Sequence, residues 1–284
     1  PFAERIRPFV RDTVSEMREF MKQGKRISLE GAQGLLLGSE HGTYPYNTCS
    51  DCSVNGTASG VGLSAKMIDL PLGIVKFPLM TRVGGGAFPT EISGRESEKY
   101  CAADMGNKKI DELIQYEIPH QVIDGEVIYD KADPKILRML NSNDEFIKGV
   151  GIRLAAGEYG ATTTRPRRIG WTDAVSARYA IGINGPLMIL TKPDSVSGID
   201  NFKLCYGYRN GNVTTEIFSR DDKFLRGVQP VYKTYDGYGD IRGTKDYDEL
   251  PASLQQAIGE FENFTGGKVV IVSTGKKSED TIVR

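Results

Sequence analysis

The segment GATTTRPRRIGW at 160–171 gathers three threonine hydroxyls and three arginines directly before a stretch that reads as a helix. A guanidinium fork grips carboxylate or phosphate through paired N–H donors, and threonine hydroxyls satisfy the lone pairs that remain. The pattern therefore predicts an anion site, with a solvated basic loop as the plainer alternative. Thr172 or Asp173 is placed to cap the helix that follows.

Four other segments have compositions that packing alone does not require. In EGAQGLLLGSEHGTYPYNT at 30–48, Gly31 and Gly34 allow the backbone close to a base or phosphate, and Gln33 and Thr48 offer neutral donors and acceptors to a ring edge. In TRVGGGAFPTE at 81–91, three successive glycines strip a bend of side chains, which calls for positive φ or a close approach. That bend has no P-loop lysine and does not match G-x-G-x-x-G. LMILTKPD at 187–194 and VVIVSTGK at 269–276 each follow a strand-like run and read together as the walls of a base pocket. The Asp194 carboxylate can accept from guanine N1–H and N2–H₂, whereas adenine presents no such pair of donors. Ser273 and Gly275 supply hydroxyl and backbone contacts, and the Lys192 stem can cover the face of the base. Taken alone, T-K-P-D reads as a capped turn. Cys49 and Cys52 form a C-x-x-C, but no second pair follows and His41 and His120 are the only histidines, so chance in a polar loop is favoured over zinc or redox chemistry.

The elements that must position these loops alternate. Strands are expected at 72–80, 186–191 and 268–273, and helices at 57–69, 171–182 and 251–264. This predicts an α/β fold, a central and mainly parallel sheet flanked by helices, with ligand loops at the strand ends. An amphipathic helix carrying Phe9, Val14, Met17, Phe20 and Met21 ends at Gly24, and ISLEGAQG reads as a short strand entering the first glycine-rich loop. Residues 202–218 read as a hairpin turning at Asn210-Gly211. The stretch 93–150 reads as an insertion in a single domain spanning 1–284, with a turn in VIDGEVI and a helix opened by Asp133-Pro134.

Bulk properties narrow the ligand class. Among 284 residues, 36 basic and 37 acidic side chains nearly cancel and form no long block, which argues against nucleic acid or an anionic membrane and for a small soluble ligand. No apolar run approaches a membrane span and PFAERIRPFVRD is too charged for a signal peptide, so a cytoplasmic protein with reduced thiols is expected. The chain starts on Pro1, and a natural start further upstream is expected.

EGAQG, HGTYPY, TRVG-G-FPTE, TTxRxRRxGW-DAV, TK-D and STG occur in this order in adenylosuccinate synthetases, and the chain resembles that family over roughly 27–284, interrupted by 93–150. The resemblance implies a P-loop-like synthetase fold. It also implies ligation of IMP and L-aspartate to adenylosuccinate, GDP and phosphate, dependent on GTP and Mg²⁺, in AMP biosynthesis and by a homodimer. Carried over by position, Gln33, Thr48, Val83 and Arg165 meet IMP, and Thr162, Thr163 and Arg165 meet aspartate. Arg167, Lys192, Asp194, Ser273 and Gly275 meet the guanine nucleotide. The family's Gly-Asp-Glu-Gly-Lys-Gly loop, with its catalytic aspartate and a downstream histidine, is absent from these residues. The catalytic acid and base and the magnesium ligands are therefore expected N-terminal to Pro1, with no metal ligand in this chain. Thr164 stands where a glycine is usual, Pro166 where a basic residue is common, and CSDCS at 49–53 replaces a commoner Ser/Asn/Thr run. Two alternatives remain open: a phage-type 2-aminoadenylosuccinate synthetase acting on (d)GMP, and a non-catalytic nucleotide-binding subunit using 93–150 as a partner surface.

Overall fold

The computed structural model describes residues 2–284, which form two compact units, one up to Pro71 and the other Leu72–Arg284. The first unit is built from the helices Phe2–Ile6, Thr13–Lys22 and Val54–Gly60 and three short 3₁₀ turns. Asp12 caps the second helix by accepting from Ser15 N, and Gly24 follows its end at a φ of 67°. The strand expected in ISLEGAQG does not form. An extended segment needs a neighbour to satisfy its N–H and C=O groups, and no described residue of this unit lies in a strand. The helix expected over 57–69 starts earlier, at Val54, because Ser53 Oγ accepts from Gly56 N. It stops before Gly62, whose φ is 72°.

The second unit contains eleven strands: β1 Gly73–Lys76, β2 Leu79–Arg82, β3 His120–Ile123, β4 Glu126–Tyr129, β5 Arg168–Trp171, β6 Leu187–Thr191, β7 Asn201–Asn210, β8 Val213–Thr215, β9 Gln229–Asp236, β10 Lys268–Ser273 and β11 Thr281–Val283. The central sheet has the order β1-β6-β10-β11, with the first three parallel and β11 antiparallel, which is the α/β arrangement expected. Met188, Leu190, Val269 and Val272 from this sheet share a core with Leu254, Ile258 and Phe261 of the helix Ala252–Thr265. The run expected as one strand over 72–80 is divided between two sheets. Pro78 has no N–H to give a ladder, and beyond it β2 pairs antiparallel with β5 instead of continuing beside β6. The helix expected from 171 begins at Ala174, because Asp173 accepts from Val175 N and Ser176 N and leaves 168–171 extended.

The hairpin of β7 and β8 forms, but its turn lies one residue later than expected, at Gly211 and Asn212, because Asn210 still pairs with Val213. The longer pairing of β7 is with β9, in a three-stranded antiparallel sheet. Between 93 and 150 lie three short helices and the β3–β4 hairpin, whose turn places Asp124 and Gly125 at positive φ. The helix Glu145–Ala156 runs across residue 150, and its Val150 and Leu154 join Leu113, Ile118, Ile136 and Met139 in a second core. Asp133 caps the helix Pro134–Leu140, as its Asp-Pro opening predicts. Among the described residues no helix is long and apolar enough to cross a membrane.

Candidate nucleotide and anion site

Three parallel strands end on one edge of the central sheet. Lys76, the last residue of β1, is in register with Thr191, the last of β6, and Leu190 is in register with Val272, one residue before the end of β10. Loops at the carboxyl edge of such a sheet are where ligands of open α/β folds bind. Lys192 follows β6 with a φ of 74°, in the left-handed region, and this turns the chain into the 3₁₀ segment Pro193–Val196. Tyr238 pins that segment by donating from its hydroxyl to Pro193 O at 2.9 Å. Asp194 is half-buried. Burial pushes its carboxyl up from the usual range, against the opposing pull of Lys192, Lys131 and Arg242. A partner with two N–H donors would relieve that cost of burial. Ser273 Oγ donates to Gly275 O at 2.9 Å, so these two residues form one folded edge beside β6.

A carboxylate with more cations than it can neutralise lies next to this edge. Glu158 is 3 % exposed and meets Lys76 Nζ at 2.7 Å, Arg167 Nη1 at 2.8 Å and Lys192 Nζ at 3.7 Å. Burial acts to raise the Glu158 carboxyl, but Lys76, Lys192 and Arg167 together outweigh it and hold it below the usual range. Arg167 Nε is buried and has no hydrogen-bond partner among the described residues. A buried donor left unmet is uncommon in a closed structure and is expected where a ligand completes the set. Lys76 and Glu158 were not singled out by the sequence reading. The signal for Lys76 was available, as a lone charge at the end of the apolar run GIVKF.

The loop 160–165 is a tight turn closed by Gly160 N donating to Arg165 O and Thr164 N to Gly160 O, both at 2.9 Å. Thr162 and Thr163 are exposed on it, and Thr163 Oγ1 accepts from Arg165 N at 3.4 Å. Thr164 has a φ of 54°, which explains why a glycine suits this position, since a Cβ there costs on the order of 1 kcal/mol. Arg168 corrects the expectation that all three arginines serve an anion. It is buried against Glu91, with Nε and Nη2 donating at 2.8 and 2.6 Å, and its Nη1 holds the carbonyls of Gly84 and Gly86. Arg82 Nε donates to Gly85 O at 2.9 Å. The glycine bend, with positive φ at Gly84 and Gly86, is thus clamped by two arginines. Val83 stands exposed between β2 and that bend.

Behind this loop lies a closed ion pair. Arg153 donates to Glu112 from Nε at 3.0 Å and Nη2 at 2.6 Å, Tyr159 donates its hydroxyl to the same carboxylate, and both charged groups are fully buried. Arg153 Nη1 also donates to Arg167 O at 2.9 Å and so fixes the backbone from which the Arg167 side chain leaves for Glu158.

Gln33 and Thr48 belong to the other unit. Gln33 is exposed at a φ of 55°, and its Oε1 accepts a long contact from Cys52 Sγ at 3.5 Å. Thr48 N donates to Leu37 O at 2.7 Å, which folds the segment after HGTYPY back over the glycine-rich loop. A Cβ on Gly31 would lie 2.9 Å from Thr57 Oγ1, so its small size is used in packing, whereas Gly34 faces open space. Cys49 and Cys52 are free thiols, and among the described residues no group of three or more His, Cys, Asp or Glu comes together.

The fold is that of an α/β protein whose parallel sheet carries surplus cations and a half-buried carboxylate at its carboxyl edge. The chain belongs to the adenylosuccinate synthetase family, whose model matches residues 1–282. An adenylosuccinate synthetase from Caldicellulosiruptor saccharolyticus is 34 % identical over 286 residues, covering 100 % of this chain and 55 % of that protein. One from Thermoanaerobacter sp. is 35 % identical over 285 residues, covering 99 % of this chain and 54 % of that protein. The chain thus spans about half the length of the curated relatives it matches. Among solved structures, a fully ligated adenylosuccinate synthetase from Plasmodium falciparum superposes with a TM-score of 0.75 at 27 % identity, covering 100 % of this chain and 56 % of that one.

Proposed function

We propose that this chain serves, within a longer synthetase, the GTP-dependent ligation of IMP and L-aspartate to adenylosuccinate, GDP and phosphate. The observation that carries the reading is the surplus of positive charge around Glu158, beside Asp194 at the carboxyl edge of β1, β6 and β10. In the proposed reaction the GTP γ-phosphoryl group passes to the 6-oxygen of IMP. The aspartate amine then attacks C6, and the C6–O bond breaks to release phosphate. Both steps build negative charge, which fixed cations stabilise without reorganising.

Each residue of the site has a role in that scheme. Asp194 accepts from guanine N1–H and N2–H₂, Lys192 covers the base, and Ser273 and Gly275 border it. Arg167, whose Nε is unmet, reaches toward the nucleotide phosphates. Thr162, Thr163 and Arg165 take the carboxylates of aspartate on their turn, Arg165 and the Val83 backbone meet IMP, and in the first unit Gln33 and Thr48 are each assigned to IMP by their place in the shared motifs. Magnesium would neutralise charge on the phosphates, but these residues bring no carboxylate cluster together that would cage it. The whole enzyme in this reading is a cytoplasmic homodimer.

The test is a turnover assay on the full natural polypeptide that contains these residues, supplied with GTP, aspartate and either IMP or dGMP. Adenylosuccinate and phosphate in equal amounts from IMP are expected. Product from dGMP alone would reassign the acceptor to a 2-aminopurine, and nucleotide binding without product from either would make the chain a binding subunit.

A further inference from the structure

Lys131 lies in the 93–150 stretch, outside every motif shared with the family, yet its side chain ends beside that of Lys192. It follows β4 in the turn before the helix that Asp133 caps, and it is half-buried. Its Nζ lies 3.4 Å from Ala156 O, the same carbonyl that accepts from Lys192 Nζ at 2.8 Å. Two ammonium groups therefore share one acceptor at the carboxyl end of the helix Glu145–Ala156, where the helix dipole favours positive charge. The next residue, Gly157, has a φ of 66°, and a Cβ on it would stand against the Lys131 ammonium and 3.0 Å from its Cε. The space for this lysine is thus left open by the helix end itself.

The charges around Lys131 are those of the base site. Burial, then Lys192 and Lys276, bring its ammonium down to about 8, while Asp194 and Glu158 act the other way. Lys131 in turn is among the groups that pull on Asp194. A guanine whose N1–H and N2–H₂ face Asp194 presents O6 on the atom next to N1, and a donor standing beside Asp194 meets that oxygen. Adenine places an amino group there, and an ammonium has donors only, so the two would repel.

We propose that Lys131 is a specificity-determining residue of the guanine site, its ammonium donating to O6 while Asp194 accepts from the neighbouring N–H groups. The inference rests on the guanine role given to Asp194 above. The alternative use of this ammonium, as a further charge for the phosphates, predicts no difference between bases.

The experiment measures kcat/KM for four nucleoside triphosphates with the full natural polypeptide and with Lys131→Met and Lys131→Arg. GTP and ITP carry O6, whereas ATP and 2-aminopurine riboside triphosphate do not. Lys131→Met is expected to lower kcat/KM about tenfold or more for GTP and ITP alike, the loss of one charge-assisted hydrogen bond, to leave 2-aminopurine riboside triphosphate unchanged, and to raise ATP by removing the clash with its amino group. Lys131→Arg keeps a donor and retains most of the GTP activity. Equal losses on all four nucleotides, or no loss on GTP, would overturn the proposal while leaving the guanine role of Asp194 intact. An unmodified protein that does not prefer GTP over ATP would overturn both.

Discussion

Two buried glutamates less than fifty residues apart in sequence show how the same ion chemistry serves opposite ends. Glu112 meets one guanidinium, Arg153, in a sealed and charge-matched pair completed by the Tyr159 hydroxyl. Glu158 is as deeply buried, but its three cations remain 27 to 34 % exposed and outnumber it. A matched pair with every donor satisfied holds structure and offers nothing to a ligand. A mismatched cluster retains positive potential and an unmet donor on Arg167, which suits an anion that arrives and leaves. The two are connected, since Arg153 holds the carbonyl of Arg167 and so aims the open cluster from behind.

The largest expected effect comes from opening the sealed pair. Arg153→Met leaves the Glu112 carboxylate buried without its cation and should cost about 3–5 kcal/mol in urea unfolding. A loss below about 1 kcal/mol, the scale of a surface ion pair, would show that the pair is not sealed in solution.

The open side should respond in binding rather than in folding. Asp194→Asn replaces an acceptor-only group with one that can also donate, and should narrow the preference for GTP over ATP by up to roughly a hundredfold, with little change in unfolding free energy. Competition between the two nucleotides, in the full natural polypeptide with and without the change, reads this directly. A third substitution, Arg165→Lys, keeps charge but loses the planar fork, and should raise the aspartate KM at least about tenfold. Unchanged aspartate kinetics would remove the exposed turn from the anion site.

The smallest effect separates the carboxylates by pH. The Glu158 carboxyl is held below its ordinary value of 4.5, so its contribution to stability is complete above that value and is lost as pH falls through the lower folded one. The difference in unfolding free energy between the parent and Glu158→Gln should therefore stay constant from neutral pH to about 4.5 and shrink below it. A difference that grows on acidification would mean that the three cations do not stabilise the charged form.

Much of this arrangement is legible in the residues. The strands 187–191 and 268–273 follow from apolar runs ended by Thr-Lys-Pro and Thr-Gly, the helix 252–265 from its periodicity, and the hairpin from its alternation, although its turn falls at Gly211-Asn212, one residue after the Asn210-Gly211 pair that announces it. The triple glycine announces a bend that only small residues fit, and its carbonyls are indeed held at close range. What misleads is local likeness. Arg165, Arg167 and Arg168 read as one basic cluster, but Arg168 points away from the other two, into a buried pair with Glu91. ISLE reads as a strand by composition and has no described neighbour to pair with.

The sequence by itself determined the alternation of elements, the cap at Asp133, a second cap at either Thr172 or Asp173, and the loops whose residue types suit an anion and a purine. These are short-range properties, because capping, turn chemistry and periodicity depend on a few neighbouring residues. Only the tertiary structure decided which charges meet. Lys76, Glu158, Arg167 and Lys192 span more than a hundred positions, and the parallel register of β1 and β6 is what places the two lysines on one carboxylate. Lys131 is the extreme case. No motif marks it, and it shares a carbonyl with Lys192 only because the turn after β4 packs on the end of a helix whose Gly157 has no side chain to exclude it.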